Sequence, residues 1–140
     1  MARDPLDALL RLRRLAVREQ MRNLAGAIRA EEQAHEAQLA CAETITRETA
    51  EARSMAERNA AWAGFMLWRA RATRALRDAE AQALHAHEAT HAARSLLGDA
   101  RGAMRAVELA LDRRTVAAEL TAQQVTQHAL DDATRRPAVA

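Results

Sequence analysis

Asn59-Ala-Ala-Trp-Ala-Gly-Phe-Met-Leu-Trp68 contains every aromatic residue of the chain: Trp62, Phe65 and Trp68. On either side run long stretches of Ala, Arg, Glu, Gln and Leu, with no proline between Pro5 and Pro137. Two helix-forming arms meeting at one apolar island read as a hairpin, with the island at its tip or on the shoulder behind it. Positions 62, 65 and 68 drift round a helix by about 60° at each of the two steps. The rings therefore do not all face one narrow seam, and at least one is expected in water. An exposed Trp there is a candidate contact point. The plainer alternative is that the rings only plug the end of the hairpin.

Composition supports the same architecture. Alanine makes up about a quarter of the 140 residues, charged residues make up 29%, and Tyr is absent. A mixture rich in Ala, Glu, Leu and Arg belongs to long helices or coiled coil rather than to a thick globular core. No strands are expected. All 21 basic residues are arginine, against 19 acidic ones, so the formal charge is only +2 despite a pI near 9.8. Positive and negative residues alternate along both arms, as on solvated helix faces. There is no one-sided basic stripe interleaved with stacking aromatics, so no nucleic-acid partner is expected. The single Cys41 has no internal disulfide partner, which gives no reason to place the chain in an oxidising compartment. Arg3, Asp4 and Asp7 precede any apolar run, so no signal-peptide core is read. The longest uncharged apolar stretch, Asn59 to Trp68, is about half of a membrane span. A cytoplasmic protein without direct membrane insertion is expected.

Asp4-Pro5 opens the first helix, since Asp caps and Pro suits the first helical turn. Leu6, Leu9, Leu10, Val17, Met21, Leu24 and Ile28 follow at helical spacing. A strict heptad would next place Glu31, His35 and Gln38 on the seam. The apolar row instead resumes at Leu39, Ala42 and Ile45, an eleven-residue step that unwinds a supercoil locally, and His35 becomes a polar register element. Ser54-Met55-Ala56-Glu57 has the form of a capping box, and Asn59 is another candidate cap. The turn is placed within residues 50–61, between a helix of about 5–53 and one of about 57–134, in a single domain spanning 1–140.

The second arm is the more regular. Alternating steps of three and four give Ala72, Leu76, Ala79, Ala83, Ala86, Thr90, Ala93, Leu97, Ala100, Met104, Val107 and Leu111, with Thr90 the one polar member. This is a sustained heptad seam, and its many alanines permit close helix approach. Gly98 and Gly102 beside it weaken the helix by roughly 1 kcal/mol each relative to alanine. The fold class is all-α: a long two-helix antiparallel coiled-coil hairpin whose second helix is the longer. Folding back from the turn puts residue 6 opposite roughly residue 105. The segment from Val107 to Arg135 is then without an internal partner, although it carries Val107, Leu111, Ala118, Leu120 and Val125. An isolated helix of that length is marginal in water, so this overhang calls for an outside surface.

His87-Glu88-Ala89-Thr90-His91 matches H-E-x-x-H, the pattern in which two histidines a turn apart hold zinc and the glutamate acts as base. Glu108 and Asp112 resemble a supplier of a third ligand, but on an unbroken helix Glu108 lies about 25 Å from His91. The required reach is about 2 Å, and only a reversal at Gly98 or Gly102 would close the gap. In the heptad register both histidines fall on outward flanks. No metal, no cofactor and no enzymatic activity are expected; a small zinc peptidase is the distant alternative.

Residues from most of the chain resemble those of the FliJ family of flagellar export proteins and its YscO-type injectisome counterparts. The features are a shorter first helix, a Trp-containing turn region and a longer second helix. Arg105-Ala-Val-Glu-Leu-Ala-Leu-Asp-Arg-Arg114 is similar to the family's leucine-rich stretch ending in an acidic residue and paired arginines, and Asp131-Asp-Ala-Thr-Arg-Arg136 to its tail. The alanine-rich seam and the absence of lysine depart from that pattern. The resemblance implies a central stalk and adaptor of the hexameric type III export ATPase, similar to the γ subunit of rotary ATP synthase. Its terminal end would enter the ATPase ring through Leu10, Arg11, Arg14, Val107, Leu111, Arg113 and Arg114. By position, Trp62, Phe65 and Trp68 would meet the export gate membrane protein, and export chaperones are further implied partners. Such a protein is cytoplasmic and peripheral to the inner-membrane export apparatus. A generic coiled-coil scaffold dimer is the alternative.

Overall fold

The computed structural model describes residues 4–54 and 59–135, all of them helical apart from Asp4. Helix α1 spans Pro5–Ser54 and helix α2 spans Asn59–Arg135, and the two pack against each other as an antiparallel all-α hairpin with the second helix longer. Between them, residues 55–58, which include Glu57 of the capping-box reading, lie outside the described residues. Ser54 ends α1, and its hydroxyl donates back to the Glu51 carbonyl at 2.6 Å.

Asp4 starts α1 as anticipated. Its Oδ1 accepts from the Leu6 amide at 3.0 Å and its carbonyl from the Asp7 amide at 3.0 Å. Amides that the first turn would otherwise leave unsatisfied are thereby bonded. Asp7 in the first turn and Arg53 in the last complement the helix dipole. Along both helices the threonines do not break the ladder. Thr44, Thr46, Thr115, Thr121 and Thr126 each donate to the carbonyl four residues back, at 2.8–3.1 Å, which satisfies the hydroxyl within its own helix.

Two compact units divide the contacts: Met1–Val17 with Asp99–Ala140, and Arg18–Gly98. In the first, Asp4 meets Arg114, and Val17 and Val107 are buried. In the second, Glu31 meets His87, and Ala79, Thr90, Ala93 and Leu97 are buried. The α2 seam runs as its spacing predicts: all twelve residues from Ala72 to Leu111 are buried or half-buried. Thr90 is the most enclosed of all at 0% exposure, with its hydroxyl donating to the Ala86 carbonyl at 3.1 Å.

The α1 seam agrees with the expectation at Leu6, Leu9, Leu10, Val17, Leu24, Ile28, Ala42 and Ile45, all buried or half-buried, and departs from it at three positions. Met21 and Leu39 are 50% and 48% exposed, and His35 is exposed. The sheltered row is Val17, Gln20, Leu24, Ala27, Glu31, Ala34, Gln38, Cys41 and Ile45, an uninterrupted alternation of threes and fours. No eleven-residue step occurs, and His35 is not the register element. The heptad carries Glu31 through the seam because the facing helix gives it a partner, whereas Gln20 brings a buried Oε1 that has no hydrogen-bond partner, a cost that the rest of the seam offsets.

Candidate functional site

Three regions bear the residues singled out above, and each lies within one unit. In the first unit, Leu10 and Leu111 are half-buried, Val107 is 8% exposed, and Arg11, Arg14, Arg113 and Arg114 are exposed. Arg114 is engaged: its Nη1 donates to both carboxylate oxygens of Asp4, at 3.0 and 3.1 Å. That contact corrects the register drawn from the sequence. Asp4 faces Arg114, so Val107 and Leu111 belong to the paired part and are sheltered.

Beyond this point every described residue from Asp112 to Arg135 is exposed. The seam spacing continues from Val107 and Leu111 through Arg114, Ala118, Thr121, Val125 and His128, so Ala118 and Val125 are its apolar members, with Ala122 and Ala129 one position further round the same side of α2. Leu109, Val116 and Leu120, all exposed, form a second apolar row on the opposite side of α2. The overhang is thus shorter than the sequence reading had it, and it is apolar along two faces.

In the second unit, Trp62, Phe65 and Trp68 form a ladder along α2. Ring centroids are 5.5 Å apart for Trp62 and Phe65, tilted by 37°, and 5.8 Å apart for Phe65 and Trp68, stacked within 26°. Phe65 and Trp68 are half-buried, while Trp62 stays 43% exposed. The helical drift that separates these positions is bridged by the width of the rings, so they touch in series without sharing one seam. Met66 and Leu67 beside them are also exposed. Across from Trp62 and Phe65, α1 contributes Glu48, Glu51 and Ala52 to a shallow hollow.

Farther along the same unit, His87 Nδ1 donates to Glu31 Oε1 at 2.7 Å. This bond, then the Thr90 hydroxyl, hold the Glu31 carboxyl below the usual carboxylate range, with Arg94 adding a smaller contribution. Glu88 and His91 are exposed. Among the described residues, no three His, Cys, Asp or Glu side chains gather in a geometry able to hold a metal ion. Helix α2 passes unbroken through Gly98 and Gly102, without the reversal that a third ligand from Glu108 would need.

Sequence reasoning missed the Glu31–His87 pair, the second task of Asp4, and Glu48 and Glu51 facing the aromatic ladder. Each depends on the α1–α2 register, which a turn without Gly or Pro leaves free by several residues. No helix among the described residues is long and apolar enough to cross a membrane. No protein-family model, curated protein or solved structure matches the chain.

Proposed function

We propose that this protein is a non-enzymatic stalk and adaptor of the type III export ATPase, cytoplasmic and peripheral to the export apparatus. One observation carries the reading: α2 continues from Asp112 to Arg135 with every residue exposed, yet keeps apolar rows on two sides. A helix without tertiary support is marginal in water. A socket that surrounds it would cover both rows at once, whereas a single flat surface would cover one. A central channel in a hexameric ATPase is such a socket, and the resemblance of Arg105–Arg114 to the FliJ family stretch supports that choice.

On this reading Leu120 and Val125 enter the ring. Arg11, Arg14 and Arg113 contribute exposed positive charge at its mouth, and Leu10, Val107 and Leu111 hold α1 and α2 together behind them. Arg114 acts through Asp4. Trp62, tilted against Phe65, which in turn stacks on Trp68, meets the export gate, and export chaperones are further partners. The test is co-purification with the type III export ATPase of the same cell, followed by ATP turnover with and without the protein. Complex formation and faster turnover support the reading; no complex refutes it.

The second reading, a coiled-coil scaffold formed by two copies, is favoured by the exposed apolar row Leu109, Val116 and Leu120. Light scattering separates the two, because the scaffold has twice the mass of the chain when free.

A further inference from the structure

The hollow opposite the aromatic ladder combines two kinds of wall. Trp62 and Phe65 of α2 present ring surface, Glu48 and Glu51 of α1 present carboxylates, and Ala52 and Ala61 form a shallow floor with a volume of about 110 Å³. That is room for the end of one side chain, not for a helix. Glu48 is half-buried, and its Oε1 is reached by Arg47 Nη2 at 3.4 Å, the long limit of such a contact. The Trp62 ring is exposed on one side and backed by Phe65 on the other.

These surroundings select the charge of an occupant. An apolar side chain would cover the rings but desolvate two carboxylates without pairing them, which is unfavourable. An anion would be repelled by both. A cation satisfies both walls, because aromatic faces attract it through their quadrupole and carboxylates accept charge-assisted hydrogen bonds from it. A planar guanidinium stacks on a ring while its edge forks onto a carboxylate, and a compact ammonium does not.

We propose that the hollow formed by Glu48, Glu51, Trp62 and Phe65 is a binding site for an arginine side chain presented by a partner protein. The inference deepens the export-gate contact proposed above by naming its chemistry, and it rests on that reading only for the partner's identity. The site itself is a property of this chain.

The test uses the full-length protein and a capped pentapeptide with a central arginine and glycine elsewhere, beside the same peptide with citrulline, its neutral isostere. Binding is followed through the indole N–H resonance of Trp62, assigned with Trp62→Phe, while that of Trp68 serves as internal reference. The expected result is a saturable shift of the Trp62 resonance with the arginine peptide. Affinity should be about fivefold or more weaker for citrulline, and weaker by a similar factor in Glu48→Gln/Glu51→Gln. Glu51 is exposed and Glu48 half-buried, and an unaltered helical circular dichroism spectrum verifies the fold. Equal affinity for the two peptides, an unweakened double variant, or no saturable shift overturns the proposal. Capture of the export gate protein by the same chain is scored separately. Loss of arginine selectivity with gate capture retained removes this inference alone, whereas failed capture with selectivity retained removes only the partner.

Discussion

Glu31 on α1 and His87 on α2, 56 positions apart in the sequence, meet at 2.7 Å beside Thr90, the most enclosed side chain of the described structure. A carboxylate at a heptad seam is ordinarily unfavourable, yet here it accepts from the imidazole of the facing helix. The pair sets which residue of α1 faces which residue of α2. A slide by one heptad would leave Glu31 at the seam without His87.

That pairing predicts a pH dependence. The Glu31 carboxyl is held below its ordinary value by His87 first and Thr90 second. A depressed carboxylate contributes stability that is complete above the unfolded-state pKa and is lost as pH falls through the folded-state value. Glu31→Gln should therefore lower the melting temperature at pH 7, and the gap to the parent protein should shrink as pH drops below about 4. Parallel thermal melts from pH 7 to pH 3 check it; a gap that stays constant would contradict it.

Thr90 predicts a packing limit. Thr90 has no exposure, so a longer side chain has to displace whatever encloses it. Thr90→Leu should destabilise the hairpin by about 1–3 kcal/mol through overpacking, measured by urea denaturation. An unchanged midpoint would mean the seam is looser than described.

Asp4 separates two roles in one side chain, capping Leu6 and pairing with Arg114. Asp4→Ala removes both and should cost about 1–2 kcal/mol, most of it from the cap. Asp4→Asn keeps the cap, and Arg114→Ala removes only an exposed pair, so each should cost about 0.2–1 kcal/mol. Equal losses for Asp4→Ala and Asp4→Asn would show that the ion pair, not the cap, carries the effect.

Gly98 and Gly102 are helical, and a Cβ built on either meets nothing within 4 Å. Gly98→Ala and Gly102→Ala should each stabilise the protein by about 0.5–1 kcal/mol by removing backbone freedom from the unfolded chain. Thermal denaturation of the single variants decides it, and destabilisation would point to a bend that these glycines permit.

The sequence made the α2 seam legible because alanine, leucine and valine recur there with one polar exception, so periodicity alone locates the buried face. On α1 the same method failed at Met21 and again between Ile28 and Ala42. Glu31 and Gln38 look like interruptions until His87 and the facing helix are known, while Met21 and Leu39 look like seam residues and are exposed. Apolar character assigns a face only where the facing helix offers no polar partner. The candidate site suffered from the same gap. Arg114 and Val107 were read as part of an overhang because the register was counted from an assumed turn, and the Asp4–Arg114 contact slides it. Glu48 and Glu51 are unremarkable in sequence and gain meaning only opposite Trp62 and Phe65. The proposed partners rest on resemblance, not on periodicity.

The exposed end of α2 holds the functional account, and one paired measurement tests it most directly. ATP turnover by the type III export ATPase of the same cell is followed with increasing amounts of the full-length protein or of its Leu120→Asp/Val125→Asp variant. Both positions are exposed, so the hairpin should stay folded while its apolar rows are interrupted. The account predicts a saturable rise in turnover with the parent protein and a loss of that rise, with binding reduced at least tenfold, in the variant. Equal stimulation by the two proteins, or none by either, would contradict it.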